Sequence, residues 1–200
     1  MEGLVPPGGA PGEPDSIGVL ALQGDFEMHL RALDRAGARG RKVRLPEDLQ
    51  GLRGLVIPGG ESTTMVKLAR DYGLLQHLRR LGQEGLPMFG TCAGAILLGQ
   101  GDSFPERLGL VPVTVRRNAY GRQRESFEKP IRLGIGGEEF TCIFIRAPKI
   151  DPPVPPEVQV LGTDGGDPIL LRFRNFLLAT FHPELTRDLR IHRLFLDLCR

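Results

Sequence analysis

Short apolar segments alternate with amphipathic segments along most of this chain. The first apolar segment, residues 17–22, is apolar almost throughout, which predicts a strand buried on both faces. Residues 26–36 follow, with Phe26, Leu30 and Leu33 at helical spacing, and predict the first helix. Alternation of this kind is typical of an α/β fold built around a largely parallel sheet.

The same alternation continues through the middle of the chain. It predicts three further strands, near residues 42–45, 54–58 and 86–90, and an apolar helix over Ala93–Leu98. Residues 62–64 can cap another helix between these strands. That helix carries one apolar stripe, formed by Met65, Leu68, Tyr72, Leu75 and Leu78.

After residue 105 the pattern changes to short β-like segments without long helices between them. These segments lie at residues 110–115, 131–135, 140–145, 158–162, 169–173 and 176–181. Their spacing predicts antiparallel or mixed strands added to the parallel sheet. Residues 148–156 hold five prolines and predict a loop. Residues 186–198 predict a closing helix, with Ile191, Leu194 and Phe195 on its core face.

Composition narrows the class of protein. The chain has 200 residues, 40% hydrophobic and 25% charged, which is the balance of a folded domain. Its net charge of +2 is too small to indicate a protein that binds the phosphate backbone of nucleic acids. Three cysteines without a C-x-x-C pair indicate neither a disulfide framework nor a zinc site. We expect no metal, no cofactor, no membrane span and a reducing, cytoplasmic location.

Glycine and proline mark a candidate tail. The chain contains 27 glycines and 17 prolines, and eight of these fall within the first fifteen residues. We predict that residues 1–15 form a flexible Gly/Pro-rich tail and that residues 16–200 form a single domain. Several of the remaining glycines and prolines follow apolar segments, where turns belong.

The segment Gly90-Thr-Cys92-Ala93-Gly94 has the G-x-C-x-G form of a nucleophile elbow, at a predicted strand end and helix start. Gly90 and Gly94 permit the sharp turn and the close packing of helix against strand. Cys92 is the candidate nucleophile, favoured as a thiolate by the helix N-terminus, and the Ala93 N–H can face an oxyanion. Cys142 lies inside an apolar segment, so we interpret it as a small buried hydrophobe.

A thiol nucleophile needs a base, and the chain has four histidines. His29, His77 and His192 lie among charged residues on predicted helices, and we interpret them as solvated surface. His182 directly follows an apolar strand and precedes a proline that ends it. Glu184 lies two residues on, where an extended backbone returns side chains to the same side. It can orient the imidazole, which predicts a Cys–His–Glu triad.

The segment Pro58-Gly-Gly60-Glu61-Ser62 also follows a predicted strand. One interpretation is a turn with a helix cap. The other is that Gly60 presents a second backbone N–H to the oxyanion, while Glu61 and Ser62 help to bind substrate. The phosphate-binding pattern G-x-x-x-x-G-K-[ST] does not occur in the sequence.

The cysteine elbow, the H-x-E segment and the P-G-G loop together resemble the class I glutamine amidotransferase family. Within it, the chain resembles the glutaminase subunits of pyridoxal 5′-phosphate synthase (the PdxT/SNO type) from residue 17 to the C-terminus. The matching segments are residues 19–25, 58–65, 90–94, 117–123, 126–128, 144–148 and 181–186. The segment R-N-A-Y-G-R-Q at 117–123 is far more specific than the elbow. Two small departures from the family pattern, Tyr120 and Thr180, leave the triad untouched.

The resemblance implies a three-layer, flavodoxin-like fold and hydrolysis of L-glutamine to L-glutamate and ammonia. By position it makes Cys92 the nucleophile, His182 the acid/base and Glu184 its orienting partner. It assigns the oxyanion hole to Gly60 and Ala93. Family members bind glutamine through the positions of Gly60, Glu61, Ser62, Arg117, Ile145 and Arg146.

The resemblance also implies a partner. In the family, a (β/α)8-barrel synthase subunit uses the ammonia to build pyridoxal 5′-phosphate, and its docking orders the oxyanion hole of a poorly active glutaminase. Residues 23–29 are candidates for the docking surface, with solvated surface as the plainer interpretation. We interpret Arg122 and Arg124 as part of a solvated basic loop.

Three alternatives stay open. A glutaminase that serves another acceptor, such as imidazole glycerol phosphate synthase, is disfavoured by residues 117–123 and 144–148. A protease or chaperone-like protein with a similar cysteine elbow typically lacks a late H-P-E segment. A non-catalytic interaction module would not need competent residues at all three triad positions.

Overall fold

The computed structural model describes residues 16–101, 106–117 and 126–200. Its strands are β1 (Ser16–Leu20), β2 (Gly40–Val43), β3 (Leu52–Ile57), β4 (Met88–Thr91), β5 (Val115–Arg116), β6 (Ser126–Ile131), β7 (Phe140–Ile145), β8 (Lys149–Ile150), β9 (Gln159–Asp164), β10 (Asp167–Phe173) and β11 (Phe176–Ala179). Its helices are α1 (Phe26–Arg35), α2 (Ser62–Asp71), α3 (Leu74–Gln83), α4 (Ala93–Leu98) and α5 (Arg190–Leu198), with 3-10 turns at Pro46–Leu49 and Pro183–Leu185. The predicted tail, Tyr120, Arg122 and Arg124 lie outside the described residues.

Seven strands form one mixed sheet in the order β2-β1-β3-β4-β11-β10-β9. The first five run parallel, and β10 is antiparallel to both β11 and β9. Two further antiparallel pairs, β6–β7 and β5–β8, form separate two-stranded sheets. The arrangement confirms the predicted α/β fold with its largely parallel sheet and added antiparallel strands. Because parallel strands share a direction, β1, β3, β4 and β11 all end at the same edge.

Apolar side chains cover both faces of the sheet. On one face, Leu55 and Ile57 of β3 share a cluster with residues of α2, α3 and α4. On the other face, Val56 of β3 shares a cluster with Leu33 of α1 and Phe195 of α5. Successive β3 side chains therefore serve opposite cores, as the pleat of a strand requires. The result is three layers, with the sheet between two layers of helices.

The helix predicted after residue 62 is in fact two helices. α2 ends at Asp71, Gly73 adopts a φ of 70°, and α3 begins at Leu74. A glycine in this left-handed conformation ends a helix readily because it has no Cβ to clash. Tyr72, which we predicted on the apolar stripe, is consequently 48% exposed.

Two predicted helix starts also differ from the structure. The Glu61 side chain, rather than residues 62–64, caps α2 by accepting a backbone N–H of its first turn. The closing helix begins at Arg190, because the hydroxyl of Thr186 accepts the Asp188 N–H and bends the chain before it. No helix within the described ranges is long and apolar enough to cross a membrane.

The strands predicted after residue 105 agree with the structure unevenly. The prediction at 140–145 is confirmed by β7, whereas the segment at 131–135 lies mostly after β6. The segment at 110–115 is reduced to β5, because its backbone bonds instead to the last residue of α4 and to the chain that follows it. The Val111 N–H donates to the Leu98 carbonyl, and the Val113 carbonyl accepts the Gln100 N–H. The predicted proline-rich loop contains the two-residue strand β8.

Candidate active site

Cys92 occupies the turn between β4 and α4. Its φ of 47° and ψ of −103° place it in a strained conformation that side-chain-bearing residues rarely adopt. Its N–H donates to the Ala179 carbonyl at 2.9 Å, which ties the turn to β11. A Cβ on Gly90 would lie 2.5 Å from the Gly94 carbonyl carbon, and one on Gly94 would lie 1.9 Å from the Ile57 oxygen. The packing therefore requires both glycines of the motif.

His182 and Glu184 form a buried pair after β11. His182 Nδ1 lies 2.7 Å from Glu184 Oε1, and the two residues are 3% and 2% exposed. The His182 N–H donates to the Ile143 carbonyl at 2.8 Å, which fixes this backbone against β7. The intervening backbone is the 3-10 turn Pro183–Leu185, so our prediction of an extended segment is wrong. Proline suits the start of such a turn because its ring holds φ at about −65°.

Electrostatics favours a charged His182. Burial alone would lower its pKa, but interactions with Cys92 and with the Glu184 carboxylate raise the pKa of His182 to about 10. Burial would raise the pKa of Glu184, but the His29 and His182 rings hold that pKa below its ordinary value. At neutral pH the pair is therefore an imidazolium beside a carboxylate. Such an imidazolium stabilises a neighbouring thiolate.

A cavity of about 180 Å³ opens beside the elbow. Eight of the predicted site residues line it: Gly60, Glu61, Ser62, Cys92, Arg117, Ile145, Arg146 and His182. Of the other two, Ala93 directly follows the elbow at the start of α4, and Glu184 reaches the site through its hydrogen bond to the imidazole. The volume suits a small molecule, since pockets that hold drug-sized ligands measure about 300 Å³ or more.

One wall of this cavity is charged. Glu61 Oε1 accepts the Thr63 hydroxyl at 2.8 Å and lies 3.3 Å from Arg117 Nη2. The hydrogen bond from Thr63 lowers the pKa of Glu61, and the positive charges of Arg117 and Arg146 add to that effect. Arg146 has a φ of 42° and is a second strained residue in the wall. One carboxylate and two guanidinium groups match the two charged ends of a free amino acid.

The loop after β3 lies in close contact with the loop after β1. The Glu61 N–H donates to Gln23 Oε1 at 2.6 Å, and the Asp25 N–H donates to the Gly59 carbonyl at 3.3 Å. A Cβ on Gly60, whose φ is 149°, would lie 2.3 Å from Gln23 Oε1. Glycine at this position therefore keeps the two loops in contact.

Three cavity residues were missed by sequence reasoning: Gln23, Asp25 and Ile96. Residues 23–29 were expected only as a docking surface. Asp25 Oδ2 lies 3.8 Å from His182 Nδ1, so its carboxylate adds negative charge near the imidazole. The signal that could have found Gln23 and Asp25 is their position directly after β1, at the sheet edge that also carries the elbow.

Asp25, His182 and Glu184 have ligand atoms within 4.8 Å of one another, a spacing that suits a metal ion. The imidazole Nδ1, however, is engaged by Glu184 Oε1 at 2.7 Å. Two carboxylates around one ring balance a positive charge that the ring itself carries. We interpret the cluster as the electrostatic environment of His182, and the expectation of no metal stays a prediction.

Our interpretation of two other histidines is wrong. His29 on α1 and His192 on α5 were expected on the solvated surface, but both are 0% exposed. His29 lies three residues after Phe26 and four before Leu33, so helical spacing places it on the buried face. It is therefore not available to a docking partner. His77 is exposed, as predicted.

The other two cysteines differ from Cys92 in their surroundings. Cys142 in β7 and Cys199 after α5 are 0% and 8% exposed, so they are buried as Cys92 is at 7%, but neither of them lines the cavity. Burial raises the pKa of each thiol to about 12. Both are neutral thiols at physiological pH, which confirms the interpretation of Cys142 as a small buried hydrophobe.

Known proteins resemble this chain over most of its length. Residues 19–200 match the sequence profile of the SNO glutamine amidotransferase family. The pyridoxal 5′-phosphate synthase subunit PdxT of Streptomyces avermitilis is 49% identical, covering 92% of this chain and 94% of that protein. The PdxT subunit of Thermus thermophilus is 50% identical, covering 91% and 96% of the two chains.

Solved structures agree with these relatives. A crystal structure of a glutamine amidotransferase has a TM-score of 0.85 and 48% identity, covering 92% of this chain and 98% of its own. A putative GMP synthase subunit from Thermoplasma acidophilum has a TM-score of 0.68 at 20% identity and shares the fold. With a matching profile over residues 19–200 and relatives near 50% identity, this chain belongs to the SNO glutamine amidotransferase family.

Proposed function

We propose that this chain is the glutaminase subunit of a pyridoxal 5′-phosphate synthase. It hydrolyses L-glutamine to L-glutamate and passes the ammonia to a synthase subunit. The observation that carries this proposal is the buried His182–Glu184 pair at the cavity that also holds the strained Cys92. Membership of the SNO family and the PdxT relatives at about half identity support it.

Free glutamine binds in the cavity with its side-chain amide toward the elbow. Arg117 and Arg146 bind its α-carboxylate, and Glu61 binds its ammonium group. Ser62 and Ile145 supply a hydroxyl and backbone groups beside them. The cavity favours an amino acid over a larger amide because it is small and carries charges of both signs.

The reaction begins when the Cys92 thiolate attacks the side-chain amide carbonyl. Backbone N–H groups of Gly60 and Ala93 bind the oxyanion that forms. His182, oriented by Glu184, donates its proton to the leaving nitrogen, and ammonia departs from a γ-glutamyl thioester. The now neutral imidazole then deprotonates a water molecule, which hydrolyses the thioester. Glutamate leaves, and the thiolate and imidazolium are restored.

Ammonia must reach its acceptor without mixing into bulk water, because protonation to ammonium removes its reactive lone pair. We assign the acceptor to a (β/α)8-barrel synthase subunit, and the relatives' name as subunits of a synthase supports a partner of this kind. The three cysteines are free thiols, which fits a cytoplasmic location. Imidazole glycerol phosphate synthesis and protease-like chemistry are disfavoured by the family match over residues 19–200.

Glutamate release tests this proposal. The chain is mixed with a pyridoxal 5′-phosphate synthase barrel subunit and glutamine, and glutamate is measured with time. We expect turnover that the barrel subunit stimulates, and no turnover with Cys92→Ala, whose circular dichroism spectrum should match that of wild type. The proposal would be contradicted if the wild-type chain released no glutamate in the presence of the barrel subunit. Undiminished glutamate release by Cys92→Ala would contradict it as well.

A further inference from the structure

The Glu184 carboxylate has a second oxygen that the triad does not use. Oε1 bonds to His182 Nδ1 at 2.7 Å, whereas Oε2 is buried and makes no hydrogen bond of good geometry within the described ranges. His29 Nε2 lies 3.4 Å from this Oε2. A buried carboxylate oxygen without a donor is costly, so the groups around Oε2 determine how the carboxylate is held.

Two histidines continue from this oxygen into the core. His29 Nε2 lies 3.1 Å from Thr91 Oγ1, and His29 Nδ1 lies 3.1 Å from His192 Nε2. Phe89 packs edge-on against both rings, with centroid distances of 6.0 and 5.8 Å. Helices α1 and α5 thus hold a chain of polar groups, from Glu184 to His192, against the strand that leads to the nucleophile.

Both of these histidine rings are neutral. Burial lowers the pKa of His29, and burial lowers the pKa of His192 to about 3. A neutral imidazole has one N–H and one lone pair, so a single hydrogen lies between His29 Nδ1 and His192 Nε2. If the hydrogen is bonded to His29 Nδ1, then His29 Nε2 faces Glu184 with a lone pair. If it is bonded to His192 Nε2, then His29 Nε2 faces Glu184 with an N–H.

The surroundings of Glu184 favour one of the two tautomers. If His29 donated from Nδ1, its Nε2 lone pair would face the carboxylate, and a buried N–H on His192 Nδ1 would have no acceptor among the described residues. If His192 donates from Nε2 instead, His29 Nε2 carries the hydrogen and faces both Thr91 Oγ1 and Glu184 Oε2. The second assignment places the His29 Nε2–H, which bonds to Thr91 Oγ1, 3.4 Å from Glu184 Oε2, so that an N–H dipole rather than a lone pair faces the carboxylate.

We propose that His29 is a positioning residue of the catalytic triad and that His192 fixes its tautomer. The His29 Nε2–H dipole, with its nitrogen 3.4 Å from Glu184 Oε2, favours the carboxylate orientation in which Oε1 meets the His182 ring. The inference rests on the proposed glutaminase function, because it concerns the same triad. Neither His29 nor His192 lines the cavity, so their contribution belongs to the rate of the reaction rather than to substrate binding.

Two amide substitutions at His29 separate positioning from packing. A glutamine places its amide near the Nε2 position and keeps a donor toward Glu184, whereas an asparagine reaches only the Nδ1 position, toward His192. We expect His29→Asn to lower kcat about tenfold with KM changed less than about twofold, and His29→Gln to stay within about threefold of wild type. His192→Leu removes the group that fixes the His29 tautomer and should lower kcat about threefold. Exposed His77 offers the matched control, and His77→Gln should leave kcat unchanged.

Turnover is measured with glutamine and the barrel subunit, per folded molecule. Burial raises the thiol pKa of Cys142 and Cys199 to about 12, so mass spectrometry after brief iodoacetamide treatment counts folded molecules as those in which both of these thiols stay unmodified, whatever the state of Cys92. The alkylation rate is also a readout that needs no glutamine. We expect it to be several-fold slower in His29→Asn than in His29→Gln, because a loosely held Glu184 stabilises the imidazolium–thiolate pair less well. Should His29→Asn not fold, His192→Leu supplies the same comparison against His77→Gln.

Equal kcat values for His29→Asn and His29→Gln would overturn the inference and leave His29 a packing residue. A loss that appears in KM while kcat is unchanged would overturn it as well. A wild-type protein that releases no glutamate would instead overturn the proposed function. In that case the alkylation rates alone decide the role of His29.

Discussion

The two faces of the central sheet are built from different chemistry. The α2–α4 face, which packs against α2, α3 and α4, is an apolar cluster that includes Leu55, Ile57 and Leu78. The α1–α5 face, which packs against α1 and α5, surrounds two fully buried histidines, His29 and His192. Burial strengthens electrostatic interactions and penalises unpaired polar groups. Both faces therefore bury an apolar core, and the α1–α5 face in addition supplies a low-dielectric surrounding in which a few polar groups are oriented.

The active site lies where these two faces meet the carboxyl edge of the sheet. The elbow glycine Gly94 packs against Ile57 of β3, whereas Glu184 faces His29 of α1. We therefore expect truncation on the α2–α4 face to lower the free energy of unfolding without changing the chemistry. Isosteric changes along the polar groups from Glu184 to His192 on the α1–α5 side should lower turnover with little change in the free energy of unfolding.

The largest effect is expected at the elbow. Cys92→Ser removes the thiolate and should lower glutamine turnover by about 10³-fold or more, because an unactivated hydroxyl is a far weaker nucleophile. Cys142→Ala, on the buried strand β7, is the matched control and should keep turnover per folded molecule. Both are measured as glutamate released in the presence of the barrel subunit. Similar losses in the two variants would remove the distinction between a reactive and a structural cysteine.

The next largest effect is expected at Glu184. Glu184→Gln keeps the volume but removes the charge beside His182, and should lower kcat by about 10²- to 10⁴-fold. The free energy of unfolding, measured by urea denaturation, should change much less than turnover does. Wild-type kcat in this variant would show that the buried carboxylate is not part of the chemistry.

A stability effect without a chemical one is expected on the α2–α4 face. Leu78 of α3 is 0% exposed, so Leu78→Ala should lower the free energy of unfolding by about 2–5 kcal/mol. Its kcat per folded molecule should equal that of wild type. Tyr72→Ala, at a residue 48% exposed in the same layer, should change stability by only about 0.5 kcal/mol or less. A lower kcat in folded Leu78→Ala would show that packing on the α2–α4 face also affects the chemistry.

Counted per pH unit, a smaller effect is expected in the pH dependence of stability. The pKa of His192 is about 3 in the folded protein against 6.5 for the free side chain, so the unfolded chain binds its proton first on acidification. Stability from this group is present above pH 6.5 and is lost as the pH falls toward about 3, by at most about 1.4 kcal/mol per pH unit.

His192→Leu should flatten this part of the stability profile, measured by urea denaturation at several pH values. His77→Gln, at an exposed histidine of α3, is measured alongside as the matched substitution. An unaltered slope in His192→Leu would show that the buried histidine is not held in its neutral form.

The parts of the site that could be predicted from sequence are those that a local motif encodes. The glycines around Cys92 reflect a backbone path, since a Cβ at Gly90 or Gly94 would collide with the chain. His182 and Glu184 were found because they follow an apolar strand, although the turn between them is a 3-10 turn and not an extended segment.

The parts that were missed depend on how distant elements pack. Gln23 and Asp25 lie in the cavity because β1 is adjacent to β3 in the sheet. A local sequence pattern does not indicate the order of strands in a sheet, so these two residues were missed. His29 and His192 have charged neighbours in sequence, yet their helix faces point into the core. Gly73 was overlooked because the apolar stripe continues in phase across the break between α2 and α3.

Covalent trapping tests the central claim, that Cys92 is a nucleophile which forms a γ-glutamyl thioester. The chain and the barrel subunit are treated with a glutamine analogue that carries a chloromethyl ketone in place of the side-chain amide, and peptides are analysed by mass spectrometry. We predict one adduct, on Cys92, whose formation excess glutamine prevents, and none on Cys142 or Cys199. An adduct on Cys142 or Cys199, or a Cys92 adduct that glutamine does not slow, would contradict the assignment.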